Sequence, residues 1–234
     1  MIKYRLIRSN RKTLGLYITP RGLEVRSPFG APKTEIDRFV ESKRSWIEKH
    51  RPKWDAPECE RSRFKCGYGD AVPFRGRECP IVGSPIMKTE KPGYLRGEYA
   101  DGVFLIAEGL PAPDIRFVLS RIFKREAECH IPRRVRHYAA LMQLAPAGVG
   151  ITSAFGRWGS CSAKKRLNFA WMLMMADDEA IDSVVVHELA HMIHANHSAA
   201  FYETVYKYCP DYEKQRRKLR ALGVRIADAG WKVR

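Results

Sequence analysis

The sequence predicts an α+β protein with a β-rich first half and a helix-rich second half. Up to residue 112, short apolar runs alternate with turn residues, which is typical of β-strands. Beyond that point, apolar residues recur mainly at the spacing of an α-helix. We therefore expect a β-rich region with one helix over residues 1–112 and a second domain over residues 113–234, made of helices and a small sheet.

The first half is predicted to open with three strands and then a helix. The strands cover Ile2–Ile7, Leu14–Thr19 and Leu23–Arg26, and helical periodicity runs through Thr34–His50. Four later segments alternate as in a meandering antiparallel sheet. These are Val72–Phe74, Cys79–Val82, Tyr94–Tyr99 and Val103–Ile106.

The second half is predicted to begin with a long helix that starts at Asp114. Pro132 should interrupt it, because a proline ring clashes with the preceding helical turn, and a second piece follows over Val135–Leu144. Two strands joined by a turn come next, at Ile151–Phe155 and Arg166–Met175.

Three helices are predicted after these strands. The acidic residues 177–179 can cap the first helix at its positive end, and Ser198 can cap the second, over Ala199–Cys209. The last helix is expected over Asp211–Leu222, with its end at Gly223.

The composition is that of a globular protein with a large positive charge. Hydrophobic residues make up 45% and charged residues 29% of the 234 positions. The longest apolar run, Phe169–Ala176, is far shorter than the roughly 20 residues of a membrane helix, and the N-terminus lacks the apolar core of a signal peptide. We expect a cytoplasmic protein without a membrane partner. Its net charge of +16 makes a nucleic acid or nucleotide a candidate partner.

The six cysteines are scattered and include no Cys-x-x-Cys pair. That spacing argues against a structural zinc cluster. Without an export signal we expect a reducing compartment, and therefore free and mostly buried thiols rather than disulfides.

The strongest functional signal is the pentapeptide His187-Glu188-Leu189-Ala190-His191. Two histidines four residues apart project from the same face of a helix, so both imidazoles can reach one metal ion. Glu188 stands beside them, where it can take a proton from a metal-bound water. The motif predicts a metal-dependent hydrolase with Zn²⁺ as its cofactor.

A catalytic zinc site needs a third protein ligand, and two histidines are candidates. His194 shares the helical face, but seven residues of helix separate it from His187 by about 10.5 Å, which is too far for zinc bonds of about 2.1 Å. If the helix ends near Asn196, the chain can turn back and bring in His197. We therefore predict His197 as the third ligand and place His194 outside the ligand set, at its rim or on the surface.

A second notable segment, Arg157–Ser162, precedes the metal motif and contains Trp158 and Ser160. One interpretation is a packed hairpin anchored by the tryptophan. The other is an edge strand beside the metal helix, to which an extended substrate peptide could add. The residues alone do not decide between the two.

Several segments resemble the YgjP-like zinc metallopeptidase family, which is related to the SprT-like proteases. The resemblance implies a zincin-like catalytic domain with His187, His191 and His197 as zinc ligands and Glu188 as general base. Ser183 departs from the family, in which an aromatic residue is common at this position. The segments that carry the resemblance are Arg8–Thr13, Arg157–Ser162, Leu167–Phe169, Ile181–His191, Asn196–Ser198 with Phe201, and Cys209–Tyr212.

The predicted activity is hydrolysis of a peptide or protein substrate by a zinc-activated water, with Glu188 as the general base. A further donor should stabilise the oxyanion, and Tyr202, Tyr206 and His194 are candidates.

Two other functions stay open. Nucleotide pyrophosphohydrolysis has been attributed to the family, and a metal beside many Arg and Lys could hold a triphosphate, although no G-x-x-x-x-G-K-[ST] loop is present. The second alternative is a non-catalytic nucleic-acid-binding protein in which zinc has a structural role. Basic runs at 121–125, 133–136 and 214–220 could bind phosphates, although such runs are more often solvated faces.

Overall fold

A computed structural model gives the fold of residues 2–19, 22–50, 66–87 and 96–231. These residues form ten β-strands and six α-helices, which confirms the predicted α+β class. Among their helices, none is both long and apolar enough to cross a membrane. The chain divides into two compact units, Met1–Ser62 and Arg63–Arg234.

The first unit is a three-stranded sheet with two helices. Strand β3 lies in the middle, parallel to β1 and antiparallel to β2. The predicted single helix is in fact two, because the chain turns at Lys43. The apolar core of the unit contains Leu23, Val25, Ile36, Val40 and Ile47. The elements are β1 (Arg5–Ser9), β2 (Gly15–Thr19), β3 (Gly22–Pro28), α1 (Lys33–Ser42) and α2 (Arg44–His50).

The second unit opens with a four-stranded sheet in the order β4-β5-β7-β6. The prediction of a meandering antiparallel sheet is wrong in part, because β5 pairs with β7 in parallel and β6 pairs with the other edge of β7. Residues 94 and 95 of the predicted third strand lie outside the described residues. The elements are β4 (Ala71–Phe74), β5 (Arg77–Ser84), β6 (Gly97–Ala100) and β7 (Val103–Ala107).

Helix α3 runs without interruption over Ala112–Leu141, with Pro132 inside it. The predicted break at this proline is therefore wrong. Proline removes one backbone hydrogen bond and crowds the preceding turn. Ile131 and Val135 on either side of it are buried in the core of the unit, and we attribute the continuity of the helix to this packing.

A second small sheet follows, with the strand order β8-β10-β9. The prediction of two strands joined by a turn is wrong, because β8 and β10 are parallel and β9 lies between them in sequence, antiparallel to β10. The apolar residues Trp171–Met175, predicted as part of a strand, form a buried 3₁₀ turn. The elements are β8 (Gly148–Thr152), β9 (Gly159–Cys161) and β10 (Arg166–Ala170).

Three helices complete the unit, and the two predicted N-caps are confirmed. Asp177 accepts a hydrogen bond from the Ala180 N–H, and Ser198 accepts one from the Phe201 N–H. The last helix does not end at Gly223 as predicted, because Ile226 beyond the glycine is still buried in the core. The elements are α4 (Asp178–Ala190), α5 (Ala199–Tyr208) and α6 (Tyr212–Asp228).

Within the second unit, the four-stranded sheet and helix α3 share one aromatic core. The rings of Phe74 on β4, Phe104 on β7 and Phe123 on α3 lie with their centroids 5.3 to 5.6 Å apart. The division between the compact units falls at Ser62–Arg63, so strands β4 to β7 lie in the same unit as the helices that follow residue 112.

The described cysteines are free thiols, as predicted. The expectation that most thiols are buried is wrong for the described cysteines, because only Cys66 and Cys79 are buried, whereas Cys161 and Cys209 are partly exposed and Cys129 is exposed. Cys59 lies outside the described residues.

An ion pair joins the four-stranded sheet of the second unit to the start of α4. The Arg75 guanidinium, in the turn between β4 and β5, donates to both carboxylate oxygens of Asp178 at 2.9 and 2.6 Å. The backbone N–H of Arg75 also donates to the carbonyl of Met174 at 2.8 Å. The hydrogen bond from Arg75 lowers the pKa of Asp178 below its ordinary value of 3.8, with smaller contributions from Arg75, His130 and Arg134 as nearby charges.

This pair predicts a pH dependence of stability. Because the pKa of Asp178 is lower in the folded protein, the ion pair stabilises the fold above pH 4 and is lost as the pH falls through the folded pKa. Asp178→Asn should therefore have a lower free energy of unfolding than the wild type at neutral pH. Between pH 7 and pH 3 its free energy of unfolding should fall less than that of the wild type. Urea unfolding between pH 7 and pH 3 measures this, with Asp101→Asn in an exposed turn as the control. Parallel acid profiles for wild type and Asp178→Asn would contradict the prediction.

Candidate metal centre

The last turn of α4 carries His187 and Glu188, and His191 is the C-cap of the helix. The two imidazoles lie one turn apart on the same face, with ring centroids separated by 4.8 Å. The N-terminal part of α4 is fixed by the Asp177 cap and by apolar residues buried in the core. The helix therefore presents both histidines from a rigid element.

A turn between α4 and α5 brings in the third histidine. The N–H of His194 donates to the carbonyl of Ala190 at 2.9 Å, and Ser198 then caps α5. This places His197 over the end of α4, with its Nε2 atom 3.3 Å from Nε2 of His187. The ring nitrogens of His187, His191 and His197 that could act as ligands lie within 4.8 Å of one another. Within the described ranges, these three histidines form the group that could hold a metal ion.

The electrostatics of His187 and His191 favour neutral imidazoles. Burial lowers the pKa of His187 to about 4, with further lowering by His191 and His197. Burial also lowers the pKa of His191. A neutral imidazole has one nitrogen with a free lone pair, which is the form that binds metals. Three imidazole rings in this arrangement fit a metal ion of the zinc type.

Two of these rings, those of His187 and His191, have an oxygen atom as partner of their outer nitrogen. The Nδ1–H of His191 donates to the backbone carbonyl of His194 at 3.1 Å. The Nδ1 atom of His187 lies 2.7 Å from the hydroxyl of Tyr212, the first residue of α6. The fully buried Phe201 packs its ring against all three imidazoles, with centroids 4.6 to 4.9 Å away.

Glu188 lies beside the histidines and is almost entirely buried, with 5% of its surface exposed. Its Oε2 atom has no hydrogen-bond partner among the described residues. Burial raises the pKa of Glu188 to about 7, against an opposing effect of the Arg157 charge. A buried carboxylate without a partner is costly, and such groups are a signature of functional sites.

Gly159, the first residue of β9, lies directly against Glu188. A Cβ atom at this position would come within 2.7 Å of Cγ and Oε1 of Glu188, which is closer than real Cβ contacts. The glycine therefore allows the carboxylate to occupy its place against the strand. Sequence reasoning did not single out Gly159.

The predicted substrate-strand residues lie on or next to β9. This strand is an edge of its sheet and packs against α4. The carbonyl of Trp158 accepts a hydrogen bond from the Ala170 N–H at 2.8 Å, and its ring lies over Gly223 of α6. Ser160 is paired with Asn168 of β10. Both interpretations of the segment agree with this geometry, because β9 and β10 form an antiparallel hairpin with Trp158 packed against the core, and β9 is also the edge strand beside α4. Binding of a peptide to that edge stays a prediction.

His194 lies outside the histidine group. Its Nε2 atom forms a hydrogen bond with the Thr204 hydroxyl at 3.0 Å, while its backbone carbonyl holds His191. Of the other oxyanion candidates, Tyr202 lies with its ring 6.2 Å from that of His197, and the Tyr206 hydroxyl donates to Glu213 at 3.4 Å.

The contact of Tyr212 with His187 is a second feature of the site that sequence reasoning missed. Tyr212 lies 25 residues beyond His187 in the chain. It belongs to Cys209–Tyr212, a segment that already resembled the family, but no local pattern shows that α6 returns to the end of α4.

Some of the basic residues noted in the sequence are held in ion pairs. Arg134 donates to both carboxylate oxygens of Asp182 at 2.6 Å, and Lys218 donates to Asp177 at 2.6 Å. Binding of a nucleic acid or nucleotide by the basic runs stays a prediction.

Comparison with known proteins places the chain among the metallopeptidases. It belongs to the YgjP-like family, since the family model described as "YgjP-like, metallopeptidase domain" matches residues 12–222. This confirms the resemblance seen in the sequence.

One similar solved structure is the metallopeptidase zymogen of Pyrococcus abyssi abylysin. The two share 18% identity over 39% of this chain and 92% of that chain, with a TM-score of 0.36, and so slight a likeness carries no conclusion. No curated protein matches the chain significantly.

Proposed function

We propose that the chain is a zinc-dependent peptidase in which His187, His191 and His197 hold the metal and Glu188 is the general base. One observation carries the proposal: three imidazole nitrogens converge, and the residue next to His187 is a buried glutamate whose Oε2 atom has no hydrogen-bond partner among the described residues. Membership of a metallopeptidase family supports the reaction class. The fold of the catalytic part would then be of the zincin type.

The donor set fits catalytic zinc better than structural zinc. Structural sites use four protein ligands, whereas three histidines leave a position for water or substrate. When bound, zinc would supply a Lewis acid that polarises the scissile carbonyl and acidifies water.

Glu188 is the group that can move the proton. Its unpartnered Oε2 atom can accept a proton from the attacking water and then deliver it to the leaving amine. Burial keeps bulk water from competing for the carboxylate, and Gly159 leaves room for it beside the metal ligands.

One edge of β9 pairs with no other described strand, and this edge is our candidate for substrate binding. An extended peptide can pair with the backbone groups of an exposed edge strand, and this orients its carbonyl groups in a fixed register. Strand β9 packs against α4 and begins at Gly159, which contacts Glu188. A peptide on this edge would therefore pass close to the general base.

The role of Glu188 predicts a clean separation of binding and catalysis. Glu188→Gln keeps the size of the side chain but cannot take a proton, so it should retain zinc and lose peptide hydrolysis. Metal analysis and a quenched-fluorescence peptide library measure the two properties. Glu179→Gln, at an exposed position on the same helix, is the control. Full activity in Glu188→Gln would remove Glu188 from the proposed role.

The contact at Gly159 predicts that one added methyl group disturbs catalysis. Gly159→Ala should displace the Glu188 carboxylate and lower kcat/KM by roughly 100-fold, because small misplacements of catalytic groups have effects of this size. Zinc content should stay unchanged, since residue 159 is not a ligand. Gly30→Ala is the matched control, because an added Cβ there meets nothing within 4 Å. Wild-type turnover in Gly159→Ala would show that the contact is not needed.

A further inference from the structure

Tyr212 reaches the histidine group from a separate element of the fold. It is the first residue of α6, with 6% of its surface exposed, and its ring lies nearly parallel to that of His187, at a centroid distance of 5.8 Å and an angle of 13°. Its hydroxyl oxygen lies 2.7 Å from Nδ1 of His187. The hydrogen bond joins two nearly parallel rings and so favours one orientation of the His187 ring.

The position of α6 is itself fixed against α4. Lys218, further along α6, donates to the carboxylate of Asp177, which also caps α4. Leu219 and Ile226 of α6 are buried in the core of the unit. Tyr212 and His187 are therefore held together by the packing of two helices and not by a mobile loop.

The chemistry of imidazole gives this contact a consequence. A neutral imidazole carries its proton on one nitrogen and a free lone pair on the other. The Nε2 atom of His187 faces His197, so it is the nitrogen that must keep its lone pair for a shared metal. The proton must then be on Nδ1, and the Nδ1–H can donate to the hydroxyl oxygen of Tyr212.

We infer that Tyr212 is a positioning residue that keeps the proton of His187 on Nδ1 and turns Nε2 toward the metal. The inference rests on the proposed function. A metal-bound histidine usually donates its other ring N–H to a carboxylate or a backbone carbonyl, and here the hydroxyl oxygen of Tyr212 would be the acceptor. The carbonyl of His194 does this for His191, so two of the three proposed ligands have an oxygen partner.

The test compares the zinc affinity of the full-length wild type with that of Tyr212→Phe, by competition with a chromophoric chelator. Removing such outer partners weakens metal binding by about 10- to 100-fold, and we expect a loss in this range. Tyr208→Phe is the matched control, since its hydroxyl makes no contact with the three histidines in the described structure. The aromatic ring stays in both variants, and thermal melting of the zinc-free proteins verifies that the fold is kept.

A second measurement does not depend on the stability of a variant. Long-range ¹H–¹⁵N spectra of the zinc-loaded wild type report which nitrogen of His187 carries the proton, and we expect Nδ1. A proton on Nε2, or metal bound at Nδ1, would overturn the role of Tyr212. So would wild-type zinc affinity in Tyr212→Phe.

The outcomes also separate this inference from the proposed function. If the wild type binds zinc, His187→Ala abolishes that binding and Tyr212→Phe leaves it unchanged, the inference fails while the zinc site stands. If the wild type binds no zinc, or binds it equally well without His187, both fail together.

Discussion

The convergence of three imidazoles is the constraint on which the rest of the site depends. Helix geometry alone brings His187 and His191 together, since residues four apart share a face. His197 joins them only because the chain turns sharply after α4 and Ser198 starts a new helix at once. A longer connection would cost more conformational entropy to hold in this position.

The surroundings of these histidines explain why the arrangement can persist. Phe201 fills the space against all three rings, and oxygen atoms of Tyr212 and His194 hold the outer nitrogens of His187 and His191. Glu188 is the exception, because its Oε2 atom is buried without a described partner. Natural proteins tolerate such a group mainly where it has chemistry to perform.

Sequence reasoning could predict whatever depends on local spacing. The pairing of His187 with His191, the caps at Asp177 and Ser198, and the turn that brings in His197 are all of this kind. Long-range packing was not predictable from one sequence. Such packing lets α3 continue through Pro132 and α6 continue beyond Gly223, and it makes β8 and β10 parallel neighbours. It also places Gly159 and Tyr212 at the site. Local periodicity contains no information on which strands or helices become neighbours.

The most direct test of this account is X-ray absorption spectroscopy of the zinc-loaded protein. We expect three imidazole nitrogens at about 2.0 to 2.1 Å from the metal and an oxygen atom of water at the remaining position. His197→Ala should reduce the imidazole count to two. A metal coordinated by sulfur, or a spectrum that His197→Ala does not change, would contradict the account.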